Sequence, residues 1–164
     1  MSDVQSATDN NLEDSSYISF TVGCEVFGVP LLGVREIVEP VEITSISNTS
    51  DFFLGMINIR GEIVGVIDLR RRFKHPTIDL PTKAMLVFES VAGPIAAVVD
   101  KVNSVVKIPD ESIDKKPNIS SDVHLDFLLG IANVEDKLVT LIDLNKVLGV
   151  EMLHSFRKIK MKND

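Results

Sequence analysis

The feature that most constrains this chain is an internal repeat. Leu54-Gly55-Met56-Ile57-Asn58-Ile59 matches Leu129-Gly130-Ile131-Ala132-Asn133-Val134, and at the same offset Ile63-Val64-Gly65-Val66-Ile67-Asp68-Leu69 matches Leu138-Val139-Thr140-Leu141-Ile142-Asp143-Leu144. Upstream, Ile18, Phe20, Val34, Ile37 and Val38 correspond at a second constant spacing to Leu86, Phe88, Val102, Val105 and Val106. The longer polar segment Pro109–Leu125 absorbs the difference between the two spacings. A chain built twice from one unit must pack two copies of one pattern together, which restricts the architecture before any other feature is weighed.

The repeated unit reads as strands. Ile18, Phe20 and Val22 alternate with Tyr17, Ser19 and Thr21, and Phe27, Val29 and Leu31 continue the period of two that marks a half-buried strand. The same reasoning predicts strands over Glu36–Ile43, Phe53–Arg60, Ile63–Asp68, Ala84–Glu89, Ile95–Val99, Val102–Ile108, Leu129–Val134 and Leu138–Asp143, then a helix near Leu144–His154. Gly61, in Arg60-Gly61-Glu62, supplies the positive φ of a tight reversal, and Gly93-Pro94 turns another pair. Five short strands with tight turns bury themselves best by curling, because closure removes exposed edges. The expected fold is therefore mostly β: two tandem five-stranded small β-barrels packed together, with short helices, one of them C-terminal. Expected boundaries are an N-terminal tail over 1–15, a first barrel over about 16–75, a connector bracketed by Pro76 and Pro81, a second barrel over about 82–153, and a basic tail over 154–164. The repeat leaves room for exchange of strands between the two halves.

Composition closes off several functions. At 164 residues and 45% apolar, the chain fills a core without help from a metal or disulfide. Its single cysteine, Cys24, provides neither a disulfide framework nor a zinc ligand set, which fits a reducing cytosol. The first fifteen residues are polar, with no apolar signal region, and no stretch approaches the roughly 18–20 apolar residues that span a bilayer. A net charge of −7 opposes binding driven by phosphate neutralisation.

Groups placed for reaction are hard to find. His75, His124 and His154 lie far apart with no second ligand at metal spacing, so no metal is expected. The nine glycines occur singly and form no phosphate-cradling loop, so no nucleotide or other cofactor is expected. Cys24, with no histidine close in sequence, reads as an inert turn thiol. Asp68 and Asp143 occupy equivalent positions at strand ends just before short helical runs, where a carboxylate caps free helix amides more readily than it does acid–base work. Arg70-Arg71-Arg72 with Lys74, and Arg157-Lys158 with Lys160 and Lys162, read as a solvated basic face and tail. With no Trp and one Tyr there is no stacking platform for single-stranded nucleic acid.

The positive signal is apolar surface where two barrels meet. The repeat-related sets Leu31, Val34, Ile37 and Val102, Val105, Val106 line either a groove suited to one face of a partner helix or simply the core between the barrels.

Taken together, several motifs in order resemble the bacterial chemotaxis coupling proteins of the CheW type, over roughly Tyr17–Leu153. They are Phe27-Gly28-Val29, Val34-Arg35-Glu36-Ile37, Gly55-Met56-Ile57-Asn58-Ile59-Arg60-Gly61, Val66-Ile67-Asp68-Leu69-Arg70, Val98-Val99-Asp100-Lys101-Val102 and Leu129-Gly130-Ile131-Ala132. The resemblance implies a non-catalytic cytoplasmic adaptor, recruited to receptor arrays at the inner membrane face, that joins the helical hairpin tip of chemoreceptors to the regulatory domain of the CheA histidine kinase. It implies receptor-groove roles for Leu31, Val34, Ile37, Val102 and Val105. It implies a kinase-facing surface around Val41, Ile43, Ser45, Ser47 and Phe53, and a structural ion pair between Glu36 and Arg60 across neighbouring strands. If that pair is buried, removing one partner costs about 3–5 kcal/mol. Two departures stand out: Gly65 where the family commonly has proline, and Ser47-Asn48-Thr49-Ser50 in place of a proline-containing loop, which predicts a looser loop. The alternatives are an adaptor of another kinase array, such as one serving twitching motility, a small-barrel nucleic-acid binder, disfavoured by charge and aromatic content, and an enzyme, for which no reactive constellation is found.

Overall fold

The computed structural model describes residues 15–46, 50–75, 84–118 and 125–163. Expectations that fall on the N-terminal tail, the loop position Ser47, the connector from Pro76 to Pro81 and His124 lie outside the described residues.

Twelve strands are described: β1 (Ser16–Val22), β2 (Glu25–Pro30), β3 (Glu36–Val38), β4 (Thr44–Ser45), β5 (Phe53–Ile59), β6 (Glu62–Asp68), β7 (Ala84–Ser90), β8 (Gly93–Val99), β9 (Lys101–Lys107), β10 (Ile113–Asp114), β11 (Leu128–Val134) and β12 (Lys137–Ile142). They form two six-stranded sheets, ordered β10-β11-β12-β2-β1-β9 and β4-β5-β6-β8-β7-β3. Written this way the sheets match strand for strand, β1 with β7, β2 with β8 and so on. Even the parallel pairings repeat, Thr140 opposite Phe27 and Gly65 opposite Ile95.

The sheets divide the chain differently from its halves. β1 and β2, from the first repeat, join β9–β12, while β7 and β8, from the second, join β3–β6. Neither 16–75 nor 82–153 is thus a barrel by itself. The sixth strand of each sheet is a two-residue piece. The expected strand Glu36–Ile43 stops at Val38, where Pro40 lacks a ladder donor and restricts Glu39, and pairing resumes only at Thr44. Its counterpart β10 falls in the segment expected to be loop and pairs with Ala132 and Ile131.

Three apolar clusters show how the sheets curl. Ile57, Val64, Val66, Met85, Val87, Ala96 and Val98 form one interior, joined by Val38 from one edge strand and Ile43 beside the other. Ile108, Ala132, Val139 and Leu141 form the second, with Tyr17, Val26, Val106 and Ile113 packed against them. Side chains from both edges of each sheet reach a common centre, so each sheet closes into a small barrel. The third and largest cluster lies between the barrels and takes the opposite strand faces: Ile18, Phe20 and Val22 from β1, Leu86 and Phe88 from β7, Ile95, Ala97 and Val99 from β8. Burial on both faces explains the unbroken apolar runs Ala84–Phe88 and Ile95–Val99.

The repeat extends to its irregularities. The β5–β6 ladder skips Leu54 and the β11–β12 ladder skips Leu129, a β-bulge in each barrel. The glycine after each has φ of +147° or +156°, and a Cβ would strike Thr44 O at Gly55 and the Ile113 side chain and Asp114 O at Gly130. Glycine is required there so that the short edge strand can lie against the bulge.

Three short helices follow: α1 (Leu69–Arg72), α2 (Leu144–Leu148) and α3 (Val150–Asn163), the last two separated by Gly149 at φ +76°. The residues expected as a basic tail from 154 onward are thus helical to Asn163. Phe156 is fully buried, 6.0 Å between ring centroids from Phe53 and over Gly65, where a Cβ would come within 2.9 Å of its ring. Gly65 makes room for this helix.

Candidate docking groove between the barrels

β3 and β9 are the outer strands of their sheets and equivalent in the repeat. Ile37 lies opposite Leu86 and Val105 opposite Ile18. Residues directly opposite in an antiparallel ladder share a face, and Leu86 and Ile18 belong to the inter-barrel core. Ile37 and Val105 therefore extend that apolar layer beyond its cover, and they are 48% and 58% exposed. Leu31, Val34 and Val102 are half-buried along its margin. The two sequence readings divide residue by residue: Leu31, Val34 and Val102 border the core, Ile37 and Val105 stand open beside it, and Val106 faces the other way, into its own barrel.

Val102 and Val105 are three apart, so strict alternation would put them on opposite faces. A register shift between Ser19 and Phe20 leaves Asn103 unpaired: Ser104 faces Ser19 and Val102 faces Phe20. The bulge restores both valines to the groove side. Asn103 Nδ2 donates to Thr21 Oγ1 at 3.1 Å, which fixes the extra residue.

On the side expected to face a kinase, Val41 and Ser45 are exposed, while Ile43 is half-buried against its barrel interior. Phe53 is 5% exposed and stacks in the inter-barrel core, so its ring does not reach the surface. Ser47 lies outside the described residues.

Charge is organised around the same rim. Arg60 Nη2 donates to both Glu36 oxygens at 2.7 Å. The two residues are not on neighbouring strands; β3 lies at the far end of the sheet from β5, and curling brings them together. Arg60 remains 67% and Glu36 23% exposed, so this is a surface pair and not the buried one that would cost several kcal/mol to break. At the turn, Arg60 and Gly61 both have positive φ and Gly61 N–H donates to Asn58 Oδ1 at 2.8 Å. Arg35 forks between Glu62 at 2.7 Å and Glu89 at 2.9 Å, and its guanidinium holds the Glu62 carboxyl below the usual range.

Asp68 and Asp143 cap α1 and α2, accepting from Arg70 N–H at 2.9 Å and Asn145 N–H at 3.0 Å. The arginine cluster after Asp68 is not a solvated face. Arg70 turns in to Asp68 and Asp100. Arg72 Nε donates to Val147 O at 2.8 Å with its guanidinium over the Phe52 and Phe127 rings, and burial pushes its pKa down. Only Arg71 is exposed. Sequence reasoning missed the Arg70–Asp100 pair, because Arg70 read as part of a solvated basic face and Asp100 only as a member of a motif. Among the described residues no three His, Cys, Asp or Glu are grouped to hold a metal ion, and no helix is long and apolar enough to cross a membrane.

Two strand-exchanged barrels, each with an exposed apolar side chain on its outer strand beside the shared core, make up the described molecule. The family model for the CheW-like domain matches residues 16–152. The chemotaxis protein CheW of Klebsiella aerogenes is 30% identical over 136 residues, 82% of each chain, and that of Helicobacter pylori 29% identical over 147 residues, 87% of each. Protein FrzA of Myxococcus xanthus is 28% identical over 82% of this chain and 86% of its own. The crystal structure of the scaffolding protein TtCheW from Thermoanaerobacter tengcongensis superposes with a TM-score of 0.76 at 30% identity, covering 85% of this chain and 90% of that one. The chain belongs to the CheW-like domain family and is a chemotaxis coupling adaptor.

Proposed function

We propose that this adaptor acts in the cytoplasm without catalysis of its own, binding the helical hairpin tip of a chemoreceptor in the inter-barrel groove and the regulatory domain of a CheA-type kinase on the outer side of the barrel that carries Val41 and Ser45. The observation that carries the reading is the exposed pair Ile37 and Val105, set by register on the open edge of the apolar seam from both barrels. One apolar face of a helix suits such a strip. By the same reading, binding to receptor tips recruits the protein to arrays at the inner membrane face.

Calorimetric titration of the full chain with a receptor cytoplasmic fragment, and separately with the kinase regulatory domain, tests this. Val105→Glu and Ile37→Glu are expected to weaken fragment binding by about tenfold or more, the effect of losing one anchor in an interface, and to leave kinase binding unchanged. Both side chains are exposed enough for the fold to tolerate the change. Failure to bind either partner removes the reading. A second reading, an adaptor of another kinase array, is compatible with the likeness to FrzA. Binding to one organism's kinase paralogue in preference to the others decides between them.

A further inference from the structure

Because the chain is a repeat, each contact at one junction of the barrels should have a twin at the other, and one junction breaks this rule. Asp100 lies where the chain leaves β8 in one barrel and enters β9 in the other. Its Oδ2 accepts from Gly23 N–H at 2.5 Å, in the β1–β2 turn, and its own N–H donates to Thr21 O at 3.0 Å. Its Oδ1 lies 3.4 Å from Nη1 of Arg70, in α1 just after β6, which belongs to the other sheet from that turn, and Arg70 is held in turn by Asp68. The side chains of Asp68, Arg70 and Asp100 are 7%, 16% and 13% exposed, so little water screens them.

The constant spacings map Asp68 to Asp143, Arg70 to Asn145 and Asp100 to Leu32. Asp143 still caps its helix, but Asn145 Nδ2 donates to Glu89 O at 3.2 Å and Leu32 is 67% exposed. This junction holds a cavity of about 240 Å³ bordered by Val29, Pro30, Gly33, Leu129 and the Asp143–Asn145 stretch. One junction is latched by a buried ion pair and the other opens on a cleft with no such pair.

We propose that Arg70 and Asp100 are positioning residues of the groove. They pin the start of β9, which carries Val102 and Val105, so that this wall is fixed. The twin wall, the turn Leu31–Gly33 with β3, has no buried pair: its charges, Arg35 with Glu62 and Glu89 and Glu36 with Arg60, meet at the solvent-exposed rim, where such pairs contribute little, and this wall is the one that shifts to admit a helix. The helix-binding consequence rests on the groove reading above; the asymmetry of the two walls does not.

Amide exchange and NMR on the full chain, with no partner present, test the asymmetry. Asp100→Asn, which keeps volume and removes charge, is expected to speed exchange at Val102–Ser104 by about tenfold, as loss of a charge-assisted bond implies, and leave 31–38 unchanged. The Gly23 amide resonance should move upfield as its carboxylate acceptor is lost. Arg70→Lys, which keeps a charge but loses the fork, should give the same pattern at smaller amplitude and serves if Asp100→Asn does not fold. Leu32→Asp with Asn145→Arg, installing the twin latch, should slow exchange over 31–38. In titrations, Asp100→Asn should weaken the receptor fragment several-fold at unchanged kinase affinity, a split that a general loss of stability would not produce. Equal acceleration of both walls, or none in β9, overturns the proposal. Absence of fragment binding by the unaltered protein would refute the groove reading while leaving the exchange results to decide the latch.

Discussion

Arg60 and Glu36 meet at 2.7 Å, yet most of the arginine remains in water, and exposure rather than distance sets what such a pair contributes. Alanine at either position is expected to cost about 0–1 kcal/mol in urea denaturation, with the difference shrinking as salt is added. The resemblance in sequence pointed to these two partners but carried no information on burial, which depends on how far the sheet curls. Gly65 gives the reverse case. Its departure from the family pattern looked like lost rigidity, and only the buried ring of Phe156 explains why a residue without a side chain stands there. Side chains that meet across long sequence distances, as Arg70 and Asp100 do, leave no local trace. Asp100 was visible only as a motif member and Arg70 as part of a basic face.

Elements with a repeating period were legible and those without one were not. Ten strands follow from apolar patterning, alternating or in short unbroken runs, and the caps Asp68 and Asp143 follow from their place before apolar helical starts. β4 and β10 are two residues long, too short for any period, and the bulges at Leu54, Asn103 and Leu129 shift faces in ways that alternation cannot foresee. The helix α3 was hidden by its charge. Arg157, Lys158, Lys160 and Lys162 suggested a solvated tail, although Met152, Phe156 and Ile159 already lie at helical spacing and pack against the inter-barrel core. Phe156→Ala is expected to destabilise the protein by about 3–5 kcal/mol, measured by denaturation, because the ring is fully enclosed. A tail laid loosely on the surface would show almost no change.

At the scale of the whole molecule, the repeat announced two barrels but not which strands each would contain. Hydrophobic patterning is the same whether the leading hairpin of each repeat folds back on its own half or crosses to the other, so only the ladders reveal the exchange. Residues 16–75 produced alone are therefore expected to remain unfolded by circular dichroism and amide dispersion, while mixing them with 84–163 restores the native spectrum. A folded 16–75 fragment would contradict the exchanged topology. Under the proposed receptor-docking role, partner specificity belongs to this scale too, since the groove draws a wall from each barrel and its width depends on how the two are held.

The exchange also orders events during synthesis. The barrel built from β3–β8 has all its strands once Val99 has left the ribosome, whereas β1 and β2, made before it, meet their first partner strand only when β9 emerges and complete their sheet only with β12, more than a hundred residues after Val22. Until then Phe20, Val22 and Phe27, destined for the densest part of the interior, must be kept from aggregating by the half-made barrel or by a chaperone. The β1–β2 hairpin is thus translated before the other described strands and is among the last to reach its final place.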